Sequence, residues 1–243
     1  MKIIAIGDIH GRSIWKDIVS KETDADKIVF VGDYFDSRSG HSGNRQIENF
    51  KEIIEFKKAN KDKVILCVGN HDFHYIRGIG ETYSGYQASY AIDIGEVIQQ
   101  ALNEDLIQIC FVSDKFIFTH AGITKTWANI NTVDVNNLEQ SINDLFKFKP
   151  NCFKFTMGNN YSSTGRDITQ TPIWVRPEAL VTDMLDEVIS GNLYYIVGHT
   201  PVNYIGVNII DNIIMIDALG TSEEYLTIID GVPTVSKVIK IDV

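Results

Sequence analysis

Five short apolar runs, each followed directly by a turn rich in Gly, Asp, Asn or His, constrain the fold of this 243-residue chain most strongly. The runs are Ile3–Ile6, Ile28–Val31, Val64–Val68, Phe116–Thr119 and Tyr194–Val197. Runs that are apolar on both faces are typical of central strands in a sheet covered by helices. In a sheet with crossover connections, the carboxyl ends of such strands gather at one edge, where ligands bind. We therefore expect the polar residues after the five runs to lie near one another.

The remaining periodic segments predict helices in the middle of the chain and further strands near its end. The predicted helices are Gln46–Ala59, Tyr86–Leu102, Val135–Phe148 and Pro177–Ile189. The predicted C-terminal strands are Tyr204–Val207, Ile213–Asp217, Tyr225–Ile229 and Val235–Ile239. Asp-Asn and Asp-Gly turns between these short strands indicate an antiparallel meander. Together the pattern predicts an α/β fold.

The segment Lys149–Pro172 is polar and shows no clear period. It is long for a loop in a compact domain, so we expect it to be either functional or mobile. The chain contains no internal repeat and no linker rich in Pro, Gly or Ser. The simplest interpretation is one domain over residues 1–243, with this segment as an active-site loop.

Charge and cysteine content limit the partners and the compartment. The net charge of −10 argues against a broad electrostatic contact with long nucleic acids, although a pocket that first binds cations and then a small anion is compatible with it. The three cysteines form no CxxC pair, which indicates neither a zinc-thiolate site nor a disulfide framework. We expect a cytoplasmic protein without a signal peptide or membrane partner.

The turns after the five apolar runs carry side chains that can bind metal ions. Carboxylate oxygens, imidazole nitrogens and one amide oxygen come from Asp8, Asp33, Asp36, His10, His120, His199 and Asn70. A mixed N/O donor set without thiolate suits Mn²⁺, Fe, Zn²⁺ or Mg²⁺. Two cations about 3.5–4 Å apart could share one carboxylate and activate a water molecule. Each turn alone could be an ordinary structural turn, but five of them in this placement are hard to explain as independent features.

The order of the motifs resembles the calcineurin-like metallophosphoesterase superfamily. The motifs are Asp-x-His at Asp8, Gly-Asp-x-x-Asp at Asp33, Gly-Asn-His-Asp at Asn70, His-Ala-Gly at His120 and Gly-His-Thr at His199. Within the superfamily they look similar to the phosphoprotein-phosphatase branch, which includes bacterial and phage-type Ser/Thr phosphatases and symmetrical dinucleoside tetraphosphatases. The resemblance covers residues 7 to about 230. It implies two packed mixed β-sheets flanked by helices, in a four-layer sandwich.

The resemblance also implies a role for each matching residue. Asp8 and His10 would hold one metal, Asp33 would bridge both metals, and the second metal would be completed by Asn70, His120 and His199. His71 would not be a ligand; it would protonate the leaving oxygen while Asp36 orients its ring. The implied cofactors are two divalent ions, with manganese preferred and iron, zinc or magnesium as alternatives.

Two arginines are candidates for binding the phosphoryl group, because a guanidinium fork matches phosphate oxygens. Arg38 is displaced by one position from the usual Asp-Arg-Gly of the branch, and Arg176 follows Trp174 as in bacterial and phage-type members. The alternative for Arg176 is a surface arginine at the start of a helix. Arg166 is expected to be solvated, and His41 and His74 are expected to be ordinary surface or loop residues.

The implied activity is hydrolysis of phosphomonoesters, with phospho-Ser/Thr proteins among the candidate substrates, by direct attack of a metal-bridging hydroxide. The stretches around His74 and Trp127 look similar to dinucleoside tetraphosphatases, whereas retention of Asp36 is shared with protein phosphatases. Symmetrical dinucleoside tetraphosphate hydrolysis is therefore the main alternative. A nuclease of the same superfamily and a non-catalytic scaffold are further alternatives.

Overall fold

The computed structural model describes residues 1–207 and 212–238 and places its strands in two sheets. The strands are β1 (Lys2–Ile6), β2 (Lys27–Phe30), β3 (Val64–Leu66), β4 (Phe111–Ser113), β5 (Phe116–Thr119), β6 (Tyr194–Val197), β7 (Ile213–Met215), β8 (Glu224–Ile229) and β9 (Val232–Lys237). The first sheet has the order β3-β2-β1-β8-β9 and the second the order β4-β5-β6-β7. Parallel and antiparallel pairs occur in each sheet, so both are mixed, as predicted.

Helices connect the strands and cover the sheets. They are α1 (Trp15–Lys21), α2 (Gly43–Ala59), α3 (Asn70–Phe73), α4 (Ala91–Asn103), α5 (Lys125–Ile130), α6 (Leu138–Phe148), α7 (Pro177–Leu180) and α8 (Asp186–Ile189). Short 3-10 turns lie at Ala88–Tyr90, Val135–Asn137 and Pro150–Phe153. Helix α2 begins after Ser42, whose hydroxyl accepts a hydrogen bond from the Arg45 backbone N–H.

The strands are apolar on both faces because each face packs against a different layer. In β1, Ile3 and Ala5 join Phe118 and Ile196 in an apolar cluster between the two sheets. Ile4 and Ile6 alternate with them and belong to the cluster that includes the helix residues Trp15 and Phe50. This alternation follows from the two-residue period of a strand. Two mixed sheets flanked by helices are thus confirmed.

The five apolar runs that were predicted as strands all form β1, β2, β3, β5 and β6, but the C-terminal prediction was partly wrong. Residues 204–207 form no strand. Strand β7 pairs parallel with β6 in the second sheet, while β8 pairs antiparallel with β1 in the first. Only β8 and β9 form the expected consecutive antiparallel pair. Ile239 lies outside the described residues.

The helix predictions were most accurate for the long amphipathic segments. Helices α4 and α6 begin a few residues later than predicted, each after a 3-10 turn. Residues Pro177–Ile189 form two short helices, α7 and α8, instead of one. The polar segment 149–172 has little regular structure, and its buried Asp167 accepts hydrogen bonds from the backbone N–H groups of Asn160 and Thr169. In residues 1–207 and 212–238, no helix is long and apolar enough to cross a membrane.

Candidate metal centre

The predicted ligands all lie at the carboxyl ends of strands that are neighbours in the two sheets. Asp8 and His10 follow β1, Asp33 follows β2, and Asn70 opens the short helix α3 after β3. In the second sheet, His120 directly follows β5 and His199 follows β6. The strand ends that carry these residues therefore lie on the same side of the molecule in both sheets. Hydrogen bonds connect residues of one sheet to residues of the other.

An unusual backbone conformation sets the direction of four polar side chains that follow these strands. His10, Asp33, Asp36 and His199 have positive φ angles of 44°, 54°, 59° and 63°, in the left-handed region. Non-glycine residues adopt this region infrequently, and such residues cluster at functional sites. The sharp change of direction turns each side chain away from the strand that precedes it. Local strain of this kind is typical of a site that the surrounding fold holds in place.

Two glycines allow the strand ends to approach closely. A Cβ atom on Gly198 would lie 2.0 Å from Asp8 Oδ1, and one on Gly69 would lie 2.1 Å from Asp33 Oδ1. Any side chain at these positions would displace a carboxylate. The glycines of the Gly-His-Thr and Gly-Asn-His-Asp motifs are therefore required by the contact between neighbouring strand ends.

The three histidines predicted as ligands share one hydrogen-bond arrangement. One ring nitrogen of each donates to a backbone carbonyl oxygen: His10 Nδ1 to Phe35 at 2.7 Å, His120 Nδ1 to Val31 at 2.9 Å, and His199 Nε2 to Trp174 at 3.1 Å. A carbonyl oxygen cannot donate, so these nitrogens carry the protons. In the neutral ring the other nitrogen then presents a lone pair. Metal-binding histidines in proteins commonly have this second hydrogen bond.

The side-chain oxygen of Asn70 lies between two of these lone pairs. Its Oδ1 atom is 3.1 Å from His120 Nε2 and 2.9 Å from His199 Nδ1. With neutral rings in the tautomers set by their carbonyl partners, three acceptors face one another and no proton lies between them. A cation at this point would satisfy all three. The donor chemistry of this group therefore fits a metal ion.

The carboxylate of Asp33 lies between His10, which follows the first sheet's β1, and His120, which follows the second sheet's β5. Its Oδ1 atom is 3.4 Å from His120 Nε2, and its Oδ2 atom is 3.7 Å from His10 Nε2. Asp8 follows a strand of the first sheet but lies close to His199 of the second. Both of its carboxylate oxygens accept a hydrogen bond from the His199 backbone N–H at 3.1 Å. The geometry brings together all six residues that were predicted as metal ligands.

Several carboxylates are buried close together at this site. Burial raises the pKa of Asp8 well above its usual range, and the nearby carboxylates of Asp217 and Asp33 raise it further. Burial acts to raise the pKa of Asp33 too, but the imidazoles of His120 and His71 outweigh it and hold this pKa well below its usual range. Crowded carboxylates of this kind fit a site built for cations.

The same environment favours neutral imidazole at two of the ligands. Burial lowers the pKa of His10 to about 4. Burial also lowers the pKa of His199 well below its usual range, and the neighbouring His120 and Arg176 add to the effect. Neutral imidazole is the form that binds metals. Both rings are therefore available as ligands at neutral pH.

His71 pairs with Asp36, the residue that was expected to orient its ring. Its Nδ1 atom lies 2.8 Å from Asp36 Oδ2. Burial acts to lower the pKa of His71, but the carboxylates of Asp33 and Asp36 outweigh it, so the net shift is upward. Asp36 also accepts hydrogen bonds from the Tyr75 hydroxyl at 2.5 Å and the Gln87 side-chain amide at 3.1 Å.

The prediction that His74 is an ordinary surface or loop residue was wrong. Its side chain is buried, with only 4% of the residue exposed, and it stacks on Tyr83. His74 Nε2 lies 2.8 Å from Asp36 Oδ2, so two histidines flank one carboxylate. The available signal was its position three residues after His71, since residues three apart on a helix lie on one face.

Two close groups of His and Asp side chains occur among the residues that the structure describes. One contains Asp8, Asp33 and His120, and the other contains Asp36, His71 and His74. The first lies within the predicted ligand set. In the second, Asp36 is already occupied by hydrogen bonds from Tyr75 and Gln87, which leaves it less suited to a cation.

A cavity of about 160 Å³ opens over the site. Its wall includes Asp8, His10, Asp33, His71 and His199, together with Arg12, Arg38, Arg176, Pro201, Asp217, Gly220 and Thr221. Both arginines predicted to bind phosphate therefore line it, with Arg38 exposed and Arg176 partly buried. Sequence reasoning missed Arg12 and Asp217 as parts of this wall. A larger cavity of about 560 Å³ elsewhere contains none of the predicted ligands.

Comparison with known proteins agrees with this geometry. The family model for calcineurin-like phosphoesterases matches residues 1–203. A curated relative, the symmetrical bis(5'-nucleosyl)-tetraphosphatase of Erwinia tasmaniensis, is 31% identical over 138 residues. That match covers 52% of this chain and 46% of the relative, so it spans about half the length of each.

Solved structures share the fold over almost the whole chain. A cold-active protein-tyrosine phosphatase of a Shewanella species superposes with a TM-score of 0.63 at 17% identity and covers 98% of this chain and 80% of its own. A serine/threonine phosphatase of Saccharomyces cerevisiae gives 0.56 at 12% identity over 99% and 81%. A metallophosphoesterase of Sphaerobacter thermophilus gives 0.51 at 15% identity over 98% and 89%. At these identities the likeness concerns the fold.

Proposed function

Because the chain belongs to the calcineurin-like phosphoesterase family, we propose that it hydrolyses phosphate esters at a dinuclear metal centre. Proteins of this family use two divalent ions, and the donor set described above fits that requirement. The observation that carries the proposal is the lone-pair arrangement around Asn70. Two imidazoles, each fixed by a backbone carbonyl, point acceptor atoms at one amide oxygen within 3.1 Å.

We assign the metal ligands in two groups. Asp8 and His10 would hold one ion, Asn70, His120 and His199 would hold the other, and Asp33 would bridge both. The position of Asp33 between His10 and His120 supports the bridging role. A mixed N/O donor set suits manganese, iron, zinc or magnesium, and of these we propose manganese. When bound, the two ions would neutralise charge on the phosphoryl oxygens and acidify a water molecule.

His71 acts as the general acid. Its Nδ1–H is held by Asp36, so the ring is fixed in orientation and Nε2 is left to carry the proton that the leaving oxygen takes up. The carboxylates of Asp33 and Asp36 favour the cationic ring and raise the pKa of His71 against the effect of burial. Arg38 and Arg176 bind phosphoryl oxygens from the cavity wall.

The substrate we favour is a phosphomonoester, including phospho-Ser/Thr in proteins. Hydrolysis of symmetrical dinucleoside tetraphosphates is a second candidate, which the relative from Erwinia tasmaniensis supports. The acidic chain, with a net charge of −10, makes long nucleic acids poor candidates. We further propose a single domain over residues 1–243 and a cytoplasmic location.

The test is a comparison of substrates in the presence and absence of added Mn²⁺. Purified protein is assayed with p-nitrophenyl phosphate, a phosphopeptide and diadenosine tetraphosphate. We expect metal-dependent release of phosphate from the first two, and a strong preference for the dinucleotide would instead select the second candidate. Asp33→Asn should abolish activity and metal retention together, whereas Asp114→Asn, at an exposed turn, should change neither. Full activity in Asp33→Asn would contradict the proposal.

A further inference from the structure

Arg12 is a third arginine on the cavity wall, and the proposed reaction gives it no role. It is partly buried, and its Nη1 atom donates only to the backbone oxygens of Ile9 and Asp8, at 3.3 and 3.4 Å. Over residues 1–207 and 212–238, no carboxylate forms an ion pair with it. Its other N–H groups have no acceptor in the same ranges. The carboxylates of Asp217 and Asp8 act on its charge from beyond ion-pair distance. A partly buried guanidinium still gains from an anion that accepts its remaining N–H groups.

The three arginines do not approach the cavity from one direction. Arg176 is fixed by hydrogen bonds from Nη1 to the His199 backbone oxygen at 2.9 Å and to Thr200 Oγ1 at 3.1 Å. Arg12 instead lies against the end of β1 and the Gly220 backbone. One guanidinium fork can bind two oxygens of a phosphate. Arg38 and Arg176 are the two arginines proposed for the phosphoryl group under attack, and Arg12 lines a different part of the same cavity wall.

Because Gly220 has no side chain, it leaves space for the guanidinium of Arg12. A Cβ atom at this position would lie 2.6 Å from Arg12 Nη2 and 3.1 Å from Cζ. The backbone of Gly220 is not in the left-handed region, so alanine is compatible with its conformation. Gly220→Ala should therefore move the guanidinium without removing its charge. This variant tests the effect of displacing the guanidinium separately from the effect of removing it.

We propose that Arg12 binds a second phosphate of the substrate, next to the one that is hydrolysed. This proposal rests on the proposed phosphoesterase function and deepens it. Arg12 then raises the activity of the site toward phosphate compounds whose leaving group carries a further phosphate, such as the dinucleoside tetraphosphates of the second candidate. Arg12 is the residue that distinguishes them from simple phosphomonoesters.

The experiment measures selectivity, defined as kcat/KM for diadenosine tetraphosphate divided by kcat/KM for p-nitrophenyl phosphate. Arg12→Ala should lower this ratio by about 10- to 100-fold, the effect of losing hydrogen bonds between charged groups. Arg12→Lys should lower it less, because lysine keeps the charge but lacks the fork. Gly220→Ala should shift the ratio in the same direction. Arg77→Ala, an exposed arginine that lies outside this cavity, is the matched control.

Two outcomes would overturn the proposal. If Arg12→Ala lowered kcat/KM equally for both substrates, Arg12 would be a structural counter-charge for the nearby carboxylates of Asp8 and Asp217. An unchanged ratio with both substrates still active would exclude any role in selectivity.

A binding measurement keeps the test independent of turnover. In a His71→Ala background with Mn²⁺, calorimetry gives the affinities for AMP and ADP directly. Adding Arg12→Ala should weaken ADP binding about tenfold more than AMP binding. Equal weakening would contradict the proposal. If the unmodified protein hydrolysed none of the substrates while this ADP effect persisted, the proposed function alone would fail.

Discussion

The Nδ1 atom of His71 lies 2.8 Å from Asp36 Oδ2, although the two residues are 35 positions apart and follow different strands. The pair joins the end of β2 to the start of helix α3. It lies beside the proposed ligand group, since the His71 ring contacts the His10 ring edge to face at 5.3 Å between centroids. The Asp36 carboxylate thus holds the His71 ring beside the proposed ligand group.

Replacing His71 should therefore separate catalysis from metal binding. We expect His71→Ala to lower turnover by roughly 10²–10⁴-fold, the range for loss of a general acid, with metal content unchanged. The loss should be greater with phenyl phosphate than with p-nitrophenyl phosphate, because the poorer leaving group depends more on protonation. His41→Ala is the control, since His41 does not line the cavity. Loss of both metals in His71→Ala would show that this residue is a ligand.

The hydroxyl of Tyr75 should support the same carboxylate. It donates to Asp36 Oδ1 at 2.5 Å and accepts from the Gln87 backbone N–H at 2.8 Å. Tyr75→Phe removes both bonds, so we expect the free energy of unfolding to fall by about 1–3 kcal/mol and turnover to fall less than in His71→Ala. Tyr34→Phe is the matched control, because the buried Tyr34 hydroxyl has no partner in the described part of the chain. Chemical denaturation of both variants compares them, and equal effects would contradict this account.

Metal affinity should depend on the absence of a Cβ atom at Gly198. A Cβ atom there would lie 2.0 Å from Asp8 Oδ1, so Gly198→Ala must displace this carboxylate. We expect metal affinity to fall about 10- to 100-fold, as for other changes that disturb ligand orientation. Gly206→Ala is the control, because within residues 1–207 and 212–238 no atom apart from its chain neighbours lies within 4 Å of the Cβ position. Calorimetric titration with Mn²⁺ measures both, and normal affinity in Gly198→Ala would argue against Asp8 as a ligand.

Acid stability should depend on Glu22, away from the metal site. Burial acts to raise the pKa of Glu22, but hydrogen bonds from Lys2 and the Tyr225 hydroxyl outweigh it and lower this pKa below its usual value. A lowered carboxyl pKa stabilises the folded state above the unfolded pKa of about 4.3 and loses that effect as the pH falls through the folded pKa.

Glu22→Gln should accordingly lower the free energy of unfolding at pH 7 by about 1–3 kcal/mol and show a weaker loss of stability below about pH 4.3. Denaturation at several pH values provides the measurement. Glu48→Gln, whose exposed side chain pairs with Lys51, should cost about 0.5 kcal/mol or less. Parallel pH curves for Glu22→Gln and the unmodified protein would refute the linkage.

Sequence patterns could predict that the proposed ligands lie close together because each comes within a few residues of the end of a buried strand. Asp8 and Asp33 need only the ends of β1 and β2 to be adjacent, which the order of the first sheet provides. His199 follows β6 of the second sheet and meets them because the two sheets pack together. The partner of a strand is harder to predict. Strand β7 has the same short apolar character as β8, yet it pairs parallel with β6 in the other sheet. Pairing of this kind depends on the packing of the whole core.

Arg12 and His74 show why the rest of the site could not be predicted. Arg12 becomes part of the cavity through its contact with Gly220, more than 200 residues later, and no local pattern records that contact. His74 is buried because Tyr83 and Tyr86 cover it from the irregular stretch before helix α4. Local sequence identifies residues that end strands, whereas long-range packing decides which other side chains face the site.

Anomalous diffraction from crystals grown with Mn²⁺ tests the central claim most directly. We expect two peaks about 3.5–4 Å apart, one beside Asp8 and His10 and one beside Asn70, His120 and His199, with Asp33 between them. A peak at the group of Asp36, His71 and His74, or a single ion without contact to Asp33, would contradict a dinuclear centre at the strand ends.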